Sequence, residues 1–170
     1  SIAGNRVEML KSAKNLGYEL AILGDADDTF SADRVEAYKK AAQLDKNSVF
    51  FYNKLVTDKG DEVFKFIPSH IDNAREIAQS NFLGLSTAGI RLSRLTDEFI
   101  DSLKEGETPA FDWYLFTRLL MDIGGGSLIE KAETIYRIYD NNTVGVTRNL
   151  QQEYSVKKTH YECLAKRYDL

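Results

Sequence analysis

Ala21-Ile22-Leu23-Gly24-Asp25-Ala26-Asp27-Asp28-Thr29-Phe30 decides how this chain is read: a short run of apolar and small residues passes straight into three carboxylates within four positions. A run of this kind reads as a short buried strand. Acids clustered at its end are a common way to hold a divalent cation at the carboxyl edge of a sheet. Hard cations such as Mg²⁺ take one or two carboxylates and fill their other positions with water and substrate phosphate oxygens. The same residues read equally as a strand followed by an acidic turn, because Asp is favoured in turns and at helix N-caps.

On the upstream side, Val7, Leu10 and Ala13 recur at helical spacing with Lys11 and Lys14 outward, and Gly17 follows as a stop. This predicts a helix over 5–16 feeding a strand over 18–23. Downstream, Ser31 or Asp33 caps a helix over Arg34–Leu44. The acidic cluster therefore lies between a strand and a helix. Val49 to Tyr52 and Glu62 to Ile67 are aromatic and β-branched runs around the turn Asp58-Lys59-Gly60-Asp61, which predicts a hairpin or two neighbouring strands. A short polar helix is expected over 71–80, a strand with a glycine-relieved bend over 82–92 and an amphipathic helix over 93–103. A strongly apolar helix over 111–123, stopped by Gly124-Gly125-Gly126, one or two strands over 128–138 and a terminal helix over 150–168 complete the order. Alternating strands and helices predict an α/β fold with a mixed sheet flanked by helices.

The 170 residues are 43% hydrophobic and 28% charged, the profile of one globular domain with a sizeable core. A net charge of −4 and scattered Lys and Arg argue against nucleic acid as a partner. Cys163 is the single cysteine, so no internal disulfide can form and a reducing, cytoplasmic setting is expected. It reads as a helix filler rather than a nucleophile. No apolar stretch approaches the roughly 20 residues of a membrane span. The chain opens Ser1-Ile2-Ala3-Gly4-Asn5-Arg6, directly into a helical pattern with no Met and no leading strand, which reads as a cut in a longer chain.

Three chemistries compete for the acidic cluster. As a calcium loop, Asp25, Asp27, Thr29, Ser31, Asp33 and Glu36 fall at the ligand positions, but the sharp-turn glycine is replaced by Phe30 and a strand precedes the loop where a helix belongs. As a phosphatase of the haloacid-dehalogenase type, Asp25 would be nucleophile and Asp27 general acid. That motif opens its fold on the first strand, whereas a helix precedes Asp25. The third chemistry is sugar transfer. Leu23-Gly24-Asp25-Ala26-Asp27-Asp28, Asn81-Phe82-Leu83-Gly84-Leu85-Ser86, Phe111-Asp112-Trp113-Tyr114-Leu115 and Tyr136-Arg137-Ile138-Tyr139-Asp140-Asn141-Asn142 occur in that order. In this ordered set the sequence resembles the family two glycosyltransferases, whose fold is called GT-A.

The resemblance covers about Asn5 to Gly145 and implies the C-terminal part of a GT-A domain over 1–146, followed by a terminal helix over 147–170. It implies an inverting, metal-dependent enzyme that moves a sugar from a nucleotide-sugar donor to a saccharide or lipid-linked acceptor. A lipid-linked acceptor would bring the full-length protein to the cytoplasmic membrane face. Mn²⁺ or Mg²⁺ would be held by Asp27, with Asp25 near the ribose or sharing the metal through water, while Asp28 orders the turn. Asp112 would be the general base, its ionised form favoured by the helix N-terminus; it reads otherwise as a cap. Gly84, Ser86 and Thr87 would line the sugar cleft or simply relieve a bent strand. Trp113 would stack on a sugar or pack at the helix base, and Arg137 would contact diphosphate or pair with an acid. The chain departs from the family in two respects. Tyr139 stands where the family often has a metal-binding histidine, and the nucleotide-binding unit that should precede Asn5 is absent. This piece alone is therefore expected to be inactive.

Overall fold

The structure, a computed structural model, describes residues 2–136 and 150–169. Helix α1 (Ile2–Asn15) buries Ala3, Val7 and Leu10 along one stripe, and Gly17, at φ +82°, turns the chain out of it. Strand β1 (Leu20–Ile22) leads into the acidic turn, after which come β2 (Thr29–Phe30), α2 (Arg34–Leu44) and β3 (Phe50–Thr57). The chain continues through β4 (His70–Ile71), β5 (Ala88–Arg91), α3 (Asp97–Ser102), α4 (Phe111–Asp122), β6 (Gly126–Tyr136) and α5 (Leu150–Tyr168). Among the described residues the strands form one mixed sheet in the order β1-β5-β3-β6-β2, with β4 also on β6. β3 and β6 are parallel, and β5 runs antiparallel to both β3 and β1. β1, β3 and β6 thus point the same way, and their carboxyl ends share one edge of the sheet.

Phe50, Phe51 and Tyr52 are buried because β3 is covered on both faces. Phe50 meets Phe116 of α4 at 5.2 Å between ring centroids on one face, while Phe51 lies with Tyr38 of α2, Ile129 and Ala132 in a second cluster on the other. The pairing of β3 with β6 slips after Asn53, which opposes Ile129, whereas Lys54 opposes Glu133. This bulge lies at the edge where the acidic turn sits.

Four expected elements differ. Residues 62–67 do not form a strand: Glu62 bridges Val56, Val63 N–H donates to Leu55 O, and the chain then leaves β3. β5 already occupies that flank of β3 at Phe50–Tyr52, so a hairpin partner has nowhere to continue. The helix expected over 71–80 is β4 and a 3₁₀ turn (Ala74–Ile77) started by an Asn73–Glu76 capping box. The strand expected over 82–92 opens as a 3₁₀ turn (Leu85–Thr87), and the helix expected over 93–103 starts only at Asp97, where Thr96 caps it through the Phe99 N–H at 3.1 Å. Among the described residues no helix is long and apolar enough to cross a membrane.

α5 rests on α4 through two buried residues, His160 and Leu164. The His160 ring stacks on Trp113 at 4.5 Å and is 1% exposed, and its Nδ1 has no hydrogen-bond partner among the described residues. Burial pulls its pKa from 6.5 down to about 4. The folded state therefore favours the neutral ring, and that preference is fully felt above pH 6.5 and lost as pH falls toward 4. We expect unfolding free energy, read from urea titrations with Trp113 fluorescence, to drop by up to about 3 kcal/mol over that window. His160→Phe should remove this part of the pH dependence; an unchanged dependence in the variant would show that burial does not lower the His160 pKa.

Candidate functional site

The site is built on the carboxyl edge of β1, β3 and β6, where ligands gather in open α/β sheets. Gly24 lets the chain leave β1 closely over Phe30, since a Cβ there would stand 2.8 Å from the Phe30 ring. Asp25 follows, with both carboxylate oxygens engaged. One pairs with the Arg6 guanidinium of α1, and the other accepts the Ser86 hydroxyl at 3.0 Å. The Asp25 N–H in turn donates to Ser86 Oγ at 2.7 Å. Asp27 is exposed and makes no hydrogen bond or ion pair among the described residues. Asp28 is partly buried, and burial pushes its carboxyl above the usual range. The Ser86 hydroxyl opposes that shift, the Asp27 and Asp25 charges add to it, and the Arg34 cation counters it.

A buried polar network supports this turn. Arg34, 5% exposed in the first turn of α2, donates through Nη2 to Leu23 O at 2.8 Å and Ser86 O at 2.7 Å, and through Nε to Asn53 Oδ1 at 3.2 Å. Tyr38, one helical turn on, shares its hydroxyl between Asn53 Oδ1 at 2.7 Å and Thr87 O at 2.6 Å. Asn53 Nδ2 donates to Thr134 Oγ1, whose own hydroxyl donates to Ser86 O. α2, β3, β6 and the 84–87 loop are thereby tied to the end of β1.

Asp112 reaches the same place from α4. One oxygen accepts the Trp113 N–H at 2.8 Å, and the other lies 3.4 Å from Asn81 Nδ2, whose amide also holds Leu83 O at 2.6 Å. Burial pushes the Asp112 carboxyl above its ordinary pKa; backbone N–H groups oppose this and the charge of Asp25 adds to it. The helix N-terminus does act on Asp112 as the sequence reading holds, but desolvation outweighs it. Tyr136, at the end of β6, also feels the turn: burial raises its phenol, and the charges of Asp28 and Asp27 raise it further.

The sequence-derived residues divide accordingly. Asp25, Ser86 and Asp112 are brought together by one loop, 81–87, which binds Asp25 through Ser86 and Asp112 through Asn81. Asp27 stands at the rim of the turn. The Thr87 hydroxyl closes the loop on Gly84, bonding its carbonyl at 3.0 Å and its N–H at 3.1 Å, so the buried Thr87 serves the bend, while the buried Ser86 hydroxyl is taken up by Asp25. Trp113 is 6% exposed beneath α5, with its ring face on His160. Arg137 and Tyr139 lie outside the described residues. Arg6, Arg34, Tyr38, Asn53, Asn81 and Tyr136 are additions from the structure. The polar Asn53 inside the largely apolar run Phe50–Val56, and the Arg34–Tyr38 spacing on one helix face, were the signals available for three of them.

Among the described residues no group of three His, Cys, Asp or Glu side chains could hold a metal ion alone. One or two carboxylates at an open rim still fit a hard cation that completes its shell with water and phosphate oxygens. Asp27, with no hydrogen-bond or ion-pair partner among the described residues, offers one such carboxylate. No protein-family model matches the chain, and no curated protein matches it at a significant level.

The network carries its own stability test. Tyr38→Phe removes the donor shared by Asn53 and Thr87 and leaves buried acceptors under-satisfied, so urea unfolding should show a loss of about 1–3 kcal/mol. A loss near zero would mean that the hydroxyl is replaceable by water.

Proposed function

We propose that this chain supplies the catalytic part of a GT-A glycosyltransferase: a metal-dependent, inverting transfer of a sugar from a nucleotide donor to a hydroxyl of a saccharide or lipid-linked acceptor. One observation carries the reading. The acidic turn, the 81–87 loop and the start of α4 are far apart in sequence, yet they meet through Ser86–Asp25 and Asn81–Asp112 contacts at the carboxyl edge of the sheet.

In such a transfer the acceptor oxygen bonds to the anomeric carbon as the bond to the diphosphate breaks. The acceptor proton must go to a base, and the electron pair leaves with the diphosphate. Asp112 is that base. Its raised proton affinity, from burial and the nearby Asp25 charge, brings it closer to a working pH than an exposed carboxylate. The Trp113 N–H and Asn81 fix its orientation. Asp27, with Asp25 through water, would hold Mn²⁺ or Mg²⁺, which when bound offsets charge on the leaving diphosphate. Arg6 and Ser86 hold Asp25 in place and limit it to an indirect or ribose-side role.

The phosphatase reading is less well supported, because a nucleophilic Asp25 needs a free oxygen and both of its oxygens have partners. The calcium loop fares similarly, since Thr29 and Phe30 belong to β2.

Transfer assays of the full-length chain with nucleoside-diphosphate sugars and Mn²⁺ test the proposal. Asp112→Asn should lower kcat by roughly 100-fold or more, the usual worth of a positioned base. Asp27→Ala should abolish the response to Mn²⁺. Activity in the wild type should fall with acidification at a pH above the ordinary carboxylate range, because the base must be unprotonated and its pKa is raised. Full activity of Asp112→Asn would remove the base and with it the mechanism.

A further inference from the structure

Three carboxylates within four residues repel one another, and an exposed turn has little to resist that repulsion. The restraint lies beneath the turn. Arg34 Nη2 donates both to Leu23 O at 2.8 Å and to Ser86 O at 2.7 Å. Leu23 stands two residues before Asp25, and Ser86 is the residue whose hydroxyl binds Asp25 at 3.0 Å. A single nitrogen thus ties together the two backbone segments that frame the site. The guanidinium is fixed from every side: Nε bonds Asn53, the Phe30 ring covers it at 4.4 Å, and the Tyr38 ring lies at 5.1 Å. No carboxylate among the described residues lies within ion-pair distance of it. A buried cation with no ion-pair partner is costly to keep. Its contacts are to the backbone of the two framing segments and the Asn53 side chain, and a planar fork holds such acceptors in fixed directions, where an ammonium is a compact charge with rotatable donors.

We propose that Arg34 is a positioning residue for the acidic turn: by bridging the Leu23 and Ser86 carbonyls from beneath, it sets Asp25 and Asp27 in a cation-accepting arrangement before any cation arrives. The inference rests on the metal-site reading above. It makes a prediction whose sign differs from that of simple electrostatics. If Arg34 acted on the site only as a nearby positive charge, removing it would relieve repulsion and tighten cation binding. If it positions the turn, removing it loosens the carboxylates and weakens binding.

Mn²⁺ alone, titrated into the full chain and followed by electron paramagnetic resonance, decides between them, with circular dichroism reporting the folded fraction of each variant. Arg34→Met should bind Mn²⁺ roughly 10- to 100-fold more weakly per folded molecule, the usual cost of losing a group that orients metal ligands. Arg34→Lys keeps the charge but loses the fixed fork that anchors the bridge through Nε on Asn53, so it should also weaken binding, and it provides the test if the methionine variant does not fold. Unchanged or tighter binding in the folded variants overturns the inference alone. No Mn²⁺ binding by the wild type overturns the site reading and this inference together.

Discussion

The Arg34 guanidinium is the constraint on which the carboxyl edge of the sheet depends. It sits inside the protein at 5% exposure with backbone and amide oxygens as its partners, and burial lowers its pKa from the ordinary arginine value. A cation in such a place is tolerated only when its donors are satisfied and its faces are covered. Leu23, Ser86 and Asn53 supply the acceptors, and Phe30 and Tyr38 supply the ring faces. Each partner belongs to a different element, so satisfying one side chain fixes the relative positions of β1, β2, α2, β3 and the 84–87 loop. The bulge between β3 and β6 contributes by placing Asn53 and Thr134 within 3.0 Å of each other at the centre of the network.

Burial near this network also sets the electrostatics of the acids. Asp112 and Asp28 both have raised proton affinity, each chiefly through desolvation, and each feels the charge of Asp25. The opposite end of the sheet is different in character. There burial would raise the Asp45 carboxyl, but the Ser48 hydroxyl, the Ser48 and Asn47 N–H groups and the Ser127 hydroxyl outweigh it and pull it down to about 2. An acid held firmly ionised by local hydrogen bonds caps a structure; acids left crowded and partly desolvated at a strand end are better suited to exchanging protons or cations.

Much of the scaffold was legible in the sequence because it is local. The helices Arg34–Leu44 and Leu150–Tyr168 have the bounds that periodicity and stop signals predict, and α4 ends one residue before its predicted end. Segments 62–67, 71–80 and 93–103 were misread where a remote or side-chain partner decides: β5 blocks the flank of β3, Asn73 and Glu76 close a box, and Thr96 delays a helix. The site divides in the same way. The spacing of Asp25, Asp27 and Asp112 could be read directly, whereas the polar residues that join them could not. Arg34, Asn81 and Asn53 matter through contacts across 11 to 81 residues of chain, and a local pattern can single out a residue but not its remote partner.

On the proposed reading, the acidic turn, the 81–87 loop and the start of α4 form one cation-accepting site. Paramagnetic broadening of backbone amide signals by trace Mn²⁺ tests it most directly. The amides of residues 25–28, 84–87 and 112–113 should broaden together while those around Asp45, Ser127 and His70 stay sharp. Broadening centred on the Asp45 end, or confined to the acidic turn with Asp112 untouched, would contradict it.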